Sequence, residues 1–138
     1  MKFILLQNYA PTETAAEPIT AWAPEDAAAH IEFQRRMNDR LAESGELVEA
    51  QALIGPEAAK VVVHDGVGTP VITSPVITDG PFPEGKELLA GYRIVDVESP
   101  ERALEIAAEA SAAPGPGGKP IKTPIEVRHL MGAPISDG

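Results

Sequence analysis

Apolar residues fall along the chain in short clusters whose spacing alternates between strand-like and helical. Lys2 to Asn8 carries the block Phe3-Ile4-Leu5-Leu6, which predicts a strand that can be buried on both faces. Residues 10–23 have no period and are rich in Ala, Thr and Pro, so they form a loop that carries the single Trp22. Pro24-Glu25-Asp26 opens a helix, because proline suits the first helical position and acids suit the positive end of the helix dipole. The helix runs to about Ser44, and Gly45 is its expected stop. Its apolar stripe is Phe33, Met37 and Leu41, spaced by four, and His30 lies one turn before Phe33 on the same inward face.

Three short Val-, Ile- and Leu-rich segments follow, at 47–54, 59–64 and 71–73. Gly55-Pro56 separates the first two, and Asp65-Gly66-Val67-Gly68 between the others is a hairpin signal. Asp79 to Glu84 holds two prolines and a glycine and excludes regular structure. Leu88 to Val97 resumes as a strand, with Gly91 marking a bulge. Ser99-Pro100-Glu101 supplies a cap, a first-turn proline and an acid, and starts a second helix that continues to about Ala112. Residues 114–124 form a Pro- and Gly-rich loop or lid, and Ile125 to Leu130 is the last strand. Two similar helices alternating with strands predict an α+β fold, a ferredoxin-like sandwich with an inserted β-hairpin and both helices on one sheet face. The other face is then bare, and a homodimer is the simplest way to cover it.

With 138 residues, 43% of them apolar, the chain can close one core and not two. One domain over residues 1–132 and a flexible tail at 133–138 are expected. One Trp, two Tyr and three Phe are few, so the core must be aliphatic and alanine-based. Eleven basic against 21 acidic residues give a net charge of −10, which argues against nucleic-acid and anionic-membrane partners. The absence of cysteine removes disulfides, thiolate nucleophiles and Cys-based metal sites. No apolar run approaches the length of about eighteen residues needed to span a membrane, and the start of the chain lacks a signal-peptide core. A cytoplasmic protein is the expectation.

The run Asp79-Gly80-Pro81-Phe82, followed by Glu84, Lys86-Glu87, Leu89 and Gly91-Tyr92, resembles the DGPF signature of the YCII-related domain family. Gly45-Glu46-Leu47 after the first helix, Ser99 to Leu104 and the closing Ile125-Glu126-Val127-Arg128 agree in order, so the resemblance covers about residues 2–130. Pro83-Glu84-Gly85 departs from the more usual Ala-Glu-Thr, and the loops at 10–23 and 113–124 are longer. The resemblance implies a ferredoxin-like fold that dimerises through its sheets into an α+β barrel, with a His/Asp pair in a cleft. Many DGPF-type relatives are encoded near extracytoplasmic-function sigma factors.

His30 is the first candidate, because an unperturbed imidazole titrates closest to neutrality. It can serve as general acid or base in a cleft, or simply hydrogen-bond a backbone carbonyl. Asp79 can orient His30 or close its own turn. Lys86, Tyr92 and Arg128 are candidates for holding an anionic group or an oxyanion of a substrate; a surface ion pair with Glu87, or a place at a sheet edge or dimer interface, is the alternative. The histidines at 30, 64 and 129 lack metal-ligand spacing, and neither glycine cluster has the form of a phosphate loop, so no metal and no cofactor is expected. With no evident nucleophile, proton transfer next to a carbonyl (isomerase or lyase chemistry on a small polar or anionic metabolite) is the enzymatic reading. The other reading is a non-catalytic dimeric ligand-binding or regulatory protein, docking on a basic protein partner and linked to a sigma-factor system.

Overall fold

The structure, a computed structural model, describes residues 1–74 and 88–136. Its elements run β1 (Lys2–Tyr9), α1 (Pro24–Glu43), β2 (Leu47–Ala52), β3 (Val61–Val63), β4 (Val71–Thr73), β5 (Leu88–Asp96), α2 (Pro100–Ser111) and β6 (Ile125–His129). Short 3-10 turns lie at Ile19–Ala21, Pro56–Ala58 and Pro116–Gly118. The strands β2, β5, β1 and β6 hydrogen-bond in that order as an antiparallel sheet, and β3 with β4 form a separate hairpin. The fold is α+β, and within one chain the four-stranded sheet stays open, with β2 and β6 as its edges.

Local chemistry explains where the helices begin and end. Pro24 occupies the first turn of α1 with Glu25 and Asp26, whereas Ala23 offers no side-chain cap. At the other end Gly45 adopts φ +78°, which lets Glu46 N–H reach the Leu41 carbonyl at 2.9 Å and Gly45 N–H reach that of Ala42 at 3.1 Å. Those two bonds satisfy carbonyls that the helix end leaves free. In α2, Ser99 Oγ accepts the Arg102 N–H at 3.2 Å, and Pro100 follows the cap. Arg102 also grips Glu46 through Nε and Nη2 at 2.8 and 2.9 Å, which ties the start of α2 to the turn after α1. That fork holds the Glu46 carboxyl below the usual carboxylate range.

Both helices cover the same sheet face. Phe3 and Leu5 of β1 and Val95 of β5 meet Met37 and Leu41 of α1 and Ala103, Ile106, Ala107 and Ala110 of α2. The small residues of α2 let that helix lie close to the strands. A second cluster of Ala15, Ala113 and Ile121 joins the long loop before α1 to the loop after α2, and Thr12 Oγ1 donates to the Ile121 carbonyl at 2.6 Å. The loop after α2 is pinned as well by Ile121 N–H to Ala113 and Gly117 N–H to Asp26 Oδ2.

The β1–β5 register passes from Gln7↔Gly91 to Asn8↔Leu89, so Ala90 is the extra residue and the bulge adjoins the expected Gly91. The segments expected at 47–54 and 59–64 are shorter as strands, because Pro56, which has no N–H, starts a 3-10 turn between them. The inserted hairpin forms as expected; Gly66 and Gly68 take positive φ at its tip, and Asp65 Oδ1 accepts the Val67 N–H.

On the face turned away from the helices, Ile4, Leu6, Tyr92 and Ile94 are half-buried, with Glu49, Glu126 and Arg128 beside them. Met131 and Ile135, beyond β6, are exposed.

Candidate functional site

A cleft of about 890 Å³ opens between α1, the Ile19–Ala21 turn and the β2–β5 side of the sheet. Pro18, Ile19, Ile31, Leu53 and Ile54 give it apolar walls; His30, Gln34, Asn38 and Arg93 supply polar groups. The three helical residues arise from spacing alone: 30, 34 and 38 are one turn apart and lie along a single line of α1. Arg93 reaches the same place because its register partner is Leu5, which puts its side chain on the helix-facing side of β5.

These groups form one chain of hydrogen bonds, and the valence of each fixes the next. Arg93 can only donate; its Nε meets Asn38 Oδ1 at 2.7 Å and its Nη2 meets Gln34 Oε1 at 2.5 Å. Gln34 must therefore turn its amide nitrogen toward His30, where it lies 3.3 Å from Nε2. An amide nitrogen donates, so His30 Nε2 carries the lone pair and the ring proton sits on Nδ1. Nδ1–H then donates to the Pro114 carbonyl at 2.9 Å. Trp22 packs its ring edge-on to the imidazole, with centroids 5.4 Å apart. Burial pushes the His30 pKa below its ordinary value; the Pro114 bond opposes that shift, and the Arg93 charge adds to it. The site thus holds a neutral imidazole at the wall of a cleft, with the Gln34 amide on its lone pair.

His30 therefore faces inward as its spacing predicts, but a backbone carbonyl from the loop after α2 orients it. Asp79 and Lys86, with the rest of the DGPF run, lie outside the described residues. Tyr92 borders the cleft through β5, yet its register opposite Leu6 turns the ring to the open sheet face. Its pKa is raised by desolvation and by a hydrogen bond to Glu49. Arg128 pairs in register with Ile4 on that open face and lies 3.7 Å from Glu126, so neither Tyr92 nor Arg128 is brought to His30. His64 sits at the hairpin tip against Gly68, and His129 stacks on Phe3. Among the described residues no three His, Asp or Glu side chains converge as metal ligands, and no helix is long and apolar enough to cross a membrane.

Sequence reasoning missed Gln34, Asn38, Arg93 and the Pro114 carbonyl. One signal was available for Arg93. It alternates with Gly91, Val95 and Val97 on the inward positions of its strand, and a charge at such a position needs a reason.

A family model described as the YCII-related domain matches residues 1–115, which takes in β1 through α2. An uncharacterized protein of Rhizobium meliloti (strain 1021) is 29% identical over 111 residues, covering 80% of this chain and 81% of that relative. The match carries the cleft-forming strands and both helices, and on it the chain belongs to the YCII-related domain family.

Proposed function

We propose that this protein is a small-metabolite enzyme that moves a proton without a cofactor, with His30 as its general base. The observation that carries this reading is the neutral imidazole at the wall of a ligand-sized cleft, whose Nε2 lone pair is held only by the long 3.3 Å contact to the Gln34 amide. A substrate C–H next to a carbonyl displaces the Gln34 amide from Nε2 and gives its proton to that nitrogen, and the bonding pair moves onto the carbonyl oxygen as an enolate. The imidazolium keeps its Nδ1–H bond to Pro114, whose carbonyl dipole favours the charged ring. Return of the proton to a neighbouring atom completes an isomerisation; loss of a β-leaving group completes an elimination. Asp79, as part of the family's His/Asp pair, would add a carboxylate to this arrangement. The sheet order β2-β5-β1-β6 with both helices on one face supports a ferredoxin-like sandwich. The half-buried Ile4, Leu6, Tyr92 and Ile94 support a homodimer that pairs these open faces.

The test is hydrogen exchange. A panel of small carbonyl compounds is incubated with the protein in D2O, and proton NMR follows the signal next to the carbonyl. Wild type should exchange at least one compound, and His30→Gln should slow it by about 10²–10⁴-fold. A second reading, a non-catalytic ligand-binding dimer, is favoured by one observation: both His30 nitrogens already have protein partners. Ligands that bind in the cleft without any exchange in wild type would establish that reading and overturn the first.

A further inference from the structure

Arg93 is a cation 8% exposed on the inward side of a sheet. Burying a guanidinium costs several kcal/mol unless charge and hydrogen bonds compensate, so such groups are normally paired with a carboxylate. Here both side-chain partners are neutral amides, Gln34 and Asn38, and among the described residues no carboxylate forms an ion pair with it. The carboxylate whose charge does reach Arg93 is Glu109, which is engaged by Arg40. Burial accordingly lowers the Arg93 pKa. The Nη1 group has no protein acceptor among the described residues, yet no fully buried side-chain nitrogen or oxygen there lacks a partner. Nη1 is therefore reached by solvent, and the solvent space that Arg93 borders is the cleft.

We propose that Arg93 is the anion subsite of the cleft, and that its ligand is a small carboxylate with an apolar tail. A carboxylate fits better than a phosphate dianion, because Arg93 is the sole Lys or Arg among the described residues that line the cleft. The tail is set by Ile19, Ile31, Leu53 and Ile54 on the walls. Gln34 bridges Arg93 Nη2 and His30 Nε2, and both residues line the same cleft, so a carboxylate held by Arg93 shares that cleft with the imidazole. Binding also cancels part of the positive field on His30, which makes the base stronger once the substrate is present. The inference deepens the proton-transfer reading and rests on it for its chemistry, whereas anion binding itself can be measured without turnover.

The full chain, labelled with nitrogen-15, is titrated with hexanoate, 1-hexanol and inorganic phosphate while the His30 ring and the Gln34 side-chain amide are followed by NMR. Hexanoate should bind about tenfold or more tighter than hexanol, a gain of the size a charge-assisted bond gives, and phosphate should compete poorly. Bound hexanoate should raise the His30 pKa, and hexanol should not. Arg93→Met should erase the preference for hexanoate; Arg93→Lys should keep part of it, and decides the matter if Arg93→Met does not fold. Equal binding of hexanoate and hexanol by wild type, or a preference that survives in Arg93→Met, overturns the subsite. Hexanoate binding as expected, with no compound exchanged in D2O, retains the subsite and removes the catalytic reading. Exchange without any preference for hexanoate does the reverse.

Discussion

His30, Gln34 and Arg93 act as one unit, because each fixes the protonation or orientation of the next. A second proton on His30 would set an N–H against the Gln34 amide nitrogen, two donors facing each other across 3.3 Å. It would also place a second cation near Arg93. Both effects act with burial to keep the ring neutral, and the consequence for stability has a definite sign. The unfolded chain binds the proton near the ordinary value of 6.5, and the folded chain binds it only at lower pH. Between those values the unfolded state carries more protons, so this contribution is present above about 6.5 and is lost as pH falls through the folded value. Melting curves from neutral to mildly acidic pH should fall more steeply for wild type than for His30→Gln, which has no such proton to bind. In Arg93→Met the His30 titration, followed by NMR, should move upward because one cause of the depression is gone. A His30 that titrates at its ordinary value in wild type contradicts the neutral, hydrogen-bonded ring.

At the scale of elements, the β2–β5 pairing sets the shape of the cleft. Gln51, Ala52 and Gly91 all border it, and Gly91 is packed so closely that a Cβ there would stand 2.8 Å from the Gln51 carbonyl oxygen and 3.4 Å from Ala52 Cα. Those atoms are backbone, so β2 must move away for any side chain to fit. Gly91→Ala should therefore destabilise the protein by about 1–3 kcal/mol in urea unfolding, the usual cost of overpacking, and should weaken hexanoate binding. Gly91→Ala with unchanged stability would mean that β2 yields easily. Element reading from sequence succeeded where a single local rule dominates: the stripe of Phe33, Met37 and Leu41, the Gly45 stop, the Ser99 cap, and the hairpin turn at 65–68. It ran long at 47–54 and 59–64, since apolar content marks a strand but a proline turn decides where it ends. The site was half legible. Helical spacing put His30 inward, but nothing local foretold that a carbonyl 84 residues away would orient it, or that Arg93 would lie beneath the same helix turn.

For the whole molecule, the open sheet face is the feature that one chain leaves unresolved. Ile4, Leu6, Ile94 and the Tyr92 ring form its centre, and charged groups such as Glu49 and Arg128 lie around them. Apolar side chains on a half-covered sheet gain free energy if a second copy removes them from water, about 25 cal/mol for each Å² buried. Against this stands a charge of −10 on each chain, which repels a second copy at long range and is screened by salt. Pairing through this face should thus tighten as salt rises, whereas an interface held by ion pairs would loosen. Light scattering should report twice 14.5 kDa for wild type at micromolar concentration. Ile94→Glu puts an unpaired carboxylate at the middle of the face, where desolvation costs several kcal/mol, and should shift the mass to 14.5 kDa while leaving the secondary structure intact. His30 and Arg93 lie on the other side of the sheet, so the Ile94→Glu monomer should still prefer hexanoate to hexanol. A wild type of 14.5 kDa at every concentration and salt, or an Ile94→Glu variant that dimerises as well as wild type, would leave this face without a partner copy.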